Sequence, residues 1–352
     1  MAGSKETQRI EESLELQEID QNIFRSIKLW KFTRGVGAFG GNIIAQAAHA
    51  ATKTVQVGYH LHSLHVSRRS HLSVKSCGGQ LFPVGRVLTY LFDGFDTKVV
   101  LLHQFWGCGN TDRNNLSGRQ DSDGKSYATR SVKAIQRSRC IFTLLISFHK
   151  PEINQAVLQN KIDLSRIPPP EDCQPVETRL QNYVNENLDS IKPKMLEYLQ
   201  REIEENKLNA IEHRNTRSKR FDQSSNYETS ETYWFRSRAK IRSDPAYQKL
   251  VLAYASDFRF IGTIGKAMGL NLTGGPRTSM LASLDHSMFF YDHEFEVSEW
   301  MLYKMEAEAG KEGRGLVIGR IYTRDGRLIA VCTQEGVVRV EPETTSKVVP
   351  KL

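Results

Sequence analysis

The sequence predicts an α+β fold made from one unit used twice. Three observations predict it: each half carries a helix of small and apolar residues, each half closes with a pair of strands, and the two patterns lie roughly 190 residues apart. In the first half, residues 40–55 (GGNIIAQAAHAATKTV) enter through glycines and set Ile43, Ala47 and Ala51 on one face, with Ile44, Ala48 and Thr52 beside them. Such small side chains allow a sheet to lie close. Two strands follow, 126–136 (SYATRSVKAIQ) and 140–149 (CIFTLLISFH), joined by a polar turn and preceded by the turn signal Asp123-Gly124. In the second half, residues 232–241 read as a strand, 245–268 as a helix broken near Asp257, and four further strands run to Val340. The last pair, 315–323 and 328–340, flanks Arg324-Asp325-Gly326-Arg327, where Asp-Gly is favoured because both residues tolerate positive φ.

These elements predict a division of the chain. Residues 1–25 are a polar, loosely held lead-in with a short helical pattern through Leu14, Leu16 and Ile19. Residues 26–150 form the first domain and 210–342 the second, with a tail at 343–352. Between the domains, Pro168, Pro169 and Pro170 followed by Glu171 and Asp172 break regular structure, and 176–208 reads as polar, charged helix, so 151–209 is a linker.

Composition excludes several classes. At 352 residues and 39% hydrophobic, the chain can bury two cores. No stretch nears the roughly 20 apolar residues of a bilayer span, so stable membrane insertion is not expected. The polar first 20 residues lack the apolar core of a signal peptide. The five cysteines, Cys77, Cys108, Cys140, Cys173 and Cys332, are odd in number and fit no zinc pattern, so reduced thiols and no metal or cofactor are expected.

Beyond these patterns, one set of motifs is specific. Residues 283–290 (SLDHSMFF), then Glu299, Trp300, Met301, Leu302 and Tyr303, Arg314-Gly315, and Thr333-Gln334-Glu335-Gly336 resemble the type II acyl-CoA thioesterase family. Tyr254-Ala255-Ser256-Asp257, Phe39-Gly40-Gly41, Leu61-His62-Ser63-Leu64-His65 and Tyr127-Ala128-Thr129-Arg130-Ser131-Val132 extend the resemblance over much of both halves. It implies two tandem hot-dog domains, each an antiparallel sheet wrapped around a helix. It also implies hydrolysis of fatty acyl-CoA to free acid and coenzyme A, within fatty acid metabolism.

Three positions match the family's catalytic set: Asp257, Ser283 and Gln334. Thioester hydrolysis needs a water held near the carbonyl carbon, a group to take its proton, and donors facing the oxyanion. Asp257 would polarise the water. Ser283 and Gln334 can each donate and accept, so they can orient it without a covalent intermediate. Taken singly, Asp257 also reads as a plain N-cap of a helix starting at Phe258, and the other two as ordinary strand residues. Asp285 and His286 point to opposite faces of a strand and are expected to pack and hydrogen-bond. His49, His60, His62 and His65 are expected to be structural.

The formal charge of +8 gathers in residues 214–220 (RNTRSKR) and 236–242 (RSRAKIR), the second directly after Tyr233, Trp234 and Phe235. Such clusters suit RNA or the adenosine end of coenzyme A, and equally a solvated strand edge. No nucleic-acid motif accompanies them, so fatty acyl-CoA is the expected partner and nucleic acid is not. Exposed hot-dog edges also leave room for a homo-oligomer. The last residues, Pro350-Lys351-Leu352, resemble the peroxisomal S-K-L signal in their final two positions and would engage the import receptor; without it the address is cytoplasmic.

The segment 67–117 departs from the family. It matches no expected strands, although 87–92 and 98–105 are β-prone. It reads as an insertion or, preferably, as a gene-model error that replaced two core strands. Their loss would expose the first helix and leave an unpaired sheet edge. A catalytically impaired acyl-CoA-binding protein is the alternative function this implies.

Overall fold

A computed structural model describes residues 9–30, 38–68, 100–104, 123–136, 139–216, 229–270 and 278–340. Among them, the first half contains helix α1 (Ile10–Leu14), strands β1 (Leu16–Asp20) and β2 (Ile23–Ser26), helix α2 (Gly40–Thr52), and strands β3 (His60–Arg68), β4 (Val100–Gln104), β5 (Tyr127–Gln136) and β6 (Arg139–His149). The connecting segment carries helices α3 (Val176–Glu186) and α4 (Pro193–Leu208). The second half contains β7 (Ile211–Asn215), β8 (Ser230–Ser237), helices α5 (Pro245–Ser256) and α6 (Phe260–Ala267), and strands β9 (Thr278–Ser283), β10 (Asp285–Phe290), β11 (Met301–Lys311), β12 (Arg314–Thr323) and β13 (Leu328–Val340).

All described strands join one antiparallel sheet in the order β1-β2-β4-β5-β6-β3-β10-β13-β12-β11-β8-β7, with β9 paired separately to β13. Read inward from its two edges, the order repeats, so β3 and β10 meet at the centre of a twofold-like arrangement. The architecture is α+β, two tandem hot-dog units sharing one sheet. At the seam, Ser287 of β10 faces His65 of β3 and Met288 faces Leu64. Helices α2 and α5 pack on each other across this seam. Alanines 45, 47, 48, 50 and 51 of α2 are fully buried, and a Cβ on Gly41 would lie 2.3 Å from the Tyr254 carbonyl oxygen. Only glycine permits that approach.

The structure corrects four sequence expectations. From residue 9 onward the lead-in is not loose: Ile10 and Leu14 are buried, and Leu16, expected to continue a helix, starts a strand. Hairpin β1-β2 docks on the sheet through β4. That same β4, inside the β-prone run 98–105, pairs with β2 and β5, so the first half has no gap at this point and α2 is covered. The run 87–92, Cys77, Cys108 and the tail lie outside the described residues. The polar helix expected over 176–208 is two helices with an apolar seam of Val176, Leu180, Val184, Leu199 and Ile203. Finally, Tyr233, Trp234 and Phe235 are 3%, 2% and 1% exposed and cannot stack on a base. Arg214 and Arg236 instead cover Trp300, 4.7 and 4.3 Å from its ring, and share the carboxylate of Glu212.

Other expectations meet their physical reasons. The helix of the second half does break at Asp257. Helix α5 begins with Pro245 at its first turn and Asp244 capping the Ala246 amide at 3.0 Å. At the final hairpin only Gly326 takes positive φ (+85°), and Thr323 bonds Gly326 and Arg327, so the connection is a turn closed by a left-handed glycine. Strand 232–241 ends earlier, at Ser237, and β7 is an added strand whose last two residues, Arg214 and Asn215, open the basic run.

The seam also holds a buried amine. Lys249 of α5 is 2% exposed, and its Nζ donates to the Leu61 carbonyl at 2.7 Å, where β3 carries a bulge between Leu61 and Ser63. Burial lowers its pKa from 10.5 to about 8, against the opposing pull of Asp292. Between those values the unfolded chain holds a proton that the folded chain has released, so stability rises with pH across this window. Relative to Lys249→Met, the parent is expected to gain roughly 3 kcal/mol between pH 8 and 10.5, measured by denaturant unfolding of both. Parallel pH dependences would refute it.

Candidate active site

Asp257, Ser283 and Gln334 come from three elements and meet. Asp257 is the C-cap of α5 (φ −81°, ψ −8°), so the helix end fixes its direction. Helix α6 starts only at Phe260, so the reading of Asp257 as its N-cap does not hold. Ser283 ends β9 opposite Gly336, and Gln334 sits inside β13 opposite Val317. Gln334 is fully buried, and its Nε2 donates to Asp257 Oδ1 at 2.7 Å and to Ser283 Oγ at 2.9 Å. A carboxylate can only accept, which fixes this orientation of the amide.

The chain around Asp257 is held on both sides. Upstream, Ser256 Oγ donates to the Ala253 carbonyl and lies 2.9 Å from His286 Nε2, while the Tyr303 hydroxyl donates to the Ser256 carbonyl at 2.9 Å. Burial beside Cys332 and Asp257 pushes the Tyr303 phenol well above its usual range, so it remains a donor, and the buried Cys332 thiol is pushed up to about 12. Downstream, the Phe258 ring stacks on His213 at 4.0 Å and meets Phe39 of the first half edge-on at 6.3 Å. Phe39 also meets Tyr254 at 5.1 Å.

The residues of the LDHS motif divide this work. Ser283 precedes it, Asp285 Oδ1 accepts the Glu335 amide at 2.9 Å beside Gln334, and His286 reaches Ser256 beside Asp257. Burial raises the Asp285 carboxyl above its ordinary range. The hydrogen-bonding roles expected for Asp285 and His286 are therefore present. His49, His62 and His65 bond Leu14, Ser147 and Ser287, and His60 stacks on His293 at 5.1 Å.

The motif glycines have a packing reason. A Cβ on Gly336 would fall 2.4 Å from Ile261, one on Gly315 2.4 Å from Ile264, and one on Gly319 2.5 Å from the Tyr303 ring. The bare backbones of Gly315 and Gly336 let α6, which starts three residues after Asp257, lie directly on β12 and β13. In the sequence, Tyr303 shows no role and Ser256 reads only as part of a motif. Only the fold shows that these two meet. In the first half, the residue capping α2 is Lys53, and β6, the counterpart of β13 by sheet order, buries Phe142, Leu144, Ile146 and Phe148. No matching polar set lies there among the described residues.

Comparison with known proteins gives consistent findings. Residues 170–338 match the family model described as acyl-CoA thioesterase C-terminal domain. The chain is 30% identical over 335 residues to human acyl-coenzyme A thioesterase 8, covering 94% of this chain and 89% of the relative. It is 26% identical to acyl-CoA thioesterase 2 of Haemophilus influenzae, covering 93% and 95%. Among solved structures, an acyl-CoA thioesterase II (TesB2) from Mycobacterium marinum superposes with a TM-score of 0.62 at 24% identity, covering 95% of this chain and 99% of that one.

Proposed function

This chain belongs to the acyl-CoA thioesterase family, and from that premise we propose that it hydrolyses fatty acyl-CoA to free fatty acid and coenzyme A through Asp257, Ser283 and Gln334. One observation carries the residue assignment: the single amide nitrogen of Gln334 bridges the carboxylate and the hydroxyl.

That bridge supports a division of roles. Both Nε2 protons of Gln334 are used, so Gln334 fixes the other two groups. Ser283 Oγ accepts from it and keeps its own proton to donate to the water or to the oxyanion. An amide cannot remove the serine proton, so Ser283 is not an activated nucleophile. Asp257 takes a proton from water as the water oxygen bonds to the carbonyl carbon. The tetrahedral intermediate collapses, the carbon–sulfur bond breaks, and the proton passes to the departing thiolate of coenzyme A. The reading as an impaired binding protein loses its premise, since the first half is closed by β4 and α2 is buried.

The test is release of coenzyme A from fatty acyl-CoA by the purified chain, followed with a thiol reagent. No release from folded protein would reject the reading. The peroxisome is the proposed address, supported by the Lys351-Leu352 ending. A fluorescent protein carrying this tail should collect in peroxisomes, and diffuse fluorescence would reject that address.

A further inference from the structure

Helix α4 belongs to a segment that connects the two halves, yet it buries two polar residues one turn apart, Glu202 at 8% and Asn206 at 6% exposed. Burying a carboxylate on a surface helix is costly unless a partner faces it. The partner is Arg259, two residues after Asp257. Its Nη2 lies 3.5 Å from Glu202 Oε1 and 3.4 Å from Asn206 Oδ1, and its guanidinium lies 5.8 Å from the Tyr233 ring and 5.4 Å from the Phe258 ring. Only 15% of the arginine side chain is exposed.

The backbone at Arg259 is equally specific. Its φ is +61°, the left-handed region, at the turn where the chain leaves Asp257 and enters α6. A non-glycine residue there strains the backbone, and glycine would make the turn without that cost. An arginine in this place offsets the cost only through what its side chain reaches. It reaches α4.

We propose that Arg259, gripped by Glu202 and Asn206 of α4, is a positioning residue for Asp257. The proposal rests on the hydrolase reading and extends it: the connecting helices hold the downstream side of the catalytic turn, as His286 and Tyr303 hold its upstream side. Arg259 is assigned no part at the reacting atoms. It acts by keeping the Asp257 carboxylate within reach of Gln334, where a displacement of about 1 Å costs up to 100-fold in rate.

The experiment compares the full chain with Arg259→Gly, Arg259→Lys and the double variant Glu202→Gln/Arg259→Gly, which avoids leaving a buried carboxylate unpaired. Steady-state coenzyme A release and hydrogen exchange of residues 256–260 are measured on each. For the double variant, kcat is expected to fall about 10- to 100-fold with KM within about twofold, and amide protection at 256–260 to fall while the sheet stays protected. Arg259→Lys, which keeps the charge, is expected to recover part of kcat. A folded double variant with kcat within about twofold of the parent overturns the proposal, and so does unchanged exchange at 256–260. A parent that releases no coenzyme A rejects the hydrolase reading instead, and the exchange measurement still decides whether Arg259 grips the turn.

Discussion

Replacing Asp257 with Asn is expected to leave a folded protein that has lost coenzyme A release by about 100-fold or more in kcat. The substitution is chosen for its geometry. An asparagine Oδ1 can still accept from Gln334 Nε2 at the 2.7 Å now seen, so the bridge to Ser283 survives and the turn keeps its shape. What disappears is the negative charge that draws a proton from water. Circular dichroism and thermal unfolding close to those of the parent, together with the lost turnover, would separate chemistry from folding. Turnover within about tenfold of the parent would mean that another group takes the proton.

The second large effect concerns stability. Gly41→Ala is expected to destabilise the fold by about 2–3 kcal/mol, because the added methyl meets the Tyr254 carbonyl at 2.3 Å and the Phe39 ring at 2.7 Å. The first of these is backbone and cannot swing away. Relief requires α2 to withdraw from α5, which opens the contact joining the two halves. Tyr254 lies three residues before Asp257, so kcat should fall along with the melting temperature. This pattern contrasts with Asp257→Asn, where only kcat falls. A melting temperature unchanged within about 1 °C would show that the helices slide apart at little cost.

The sequence disclosed the parts whose physics is local. The small-residue face of α2, the Asp-Gly turn before β13 and the helix break at Asp257 depend on residues within a few positions of one another, and each was legible. The trio Asp257, Ser283 and Gln334 was legible only through motif resemblance, since three polar residues spread over 77 positions carry no spacing signal. Arg259 was not legible at all: nothing near it foretells a positive φ or a partner on α4. Burial misled in the opposite way. Tyr233, Trp234 and Phe235 beside basic residues look like a nucleotide platform, yet β8 lies between β7 and β11, and the rings are covered from both faces.

The seam between β3 and β10 has a consequence for how such a chain can change over generations. Duplicated units are ordinarily free to drift apart, and the copy without a reactive set could be shortened or discarded. Here the first half supplies the hydrogen-bonding neighbour of β10, the strand from which His286 steadies Ser256. Deleting it would strip β10 of one ladder and bare an edge prone to pair with any other chain. On the proposed assignment of the reactive residues to the second half, the first half serves as scaffolding. Change at β3 or α2 would be felt directly across the seam.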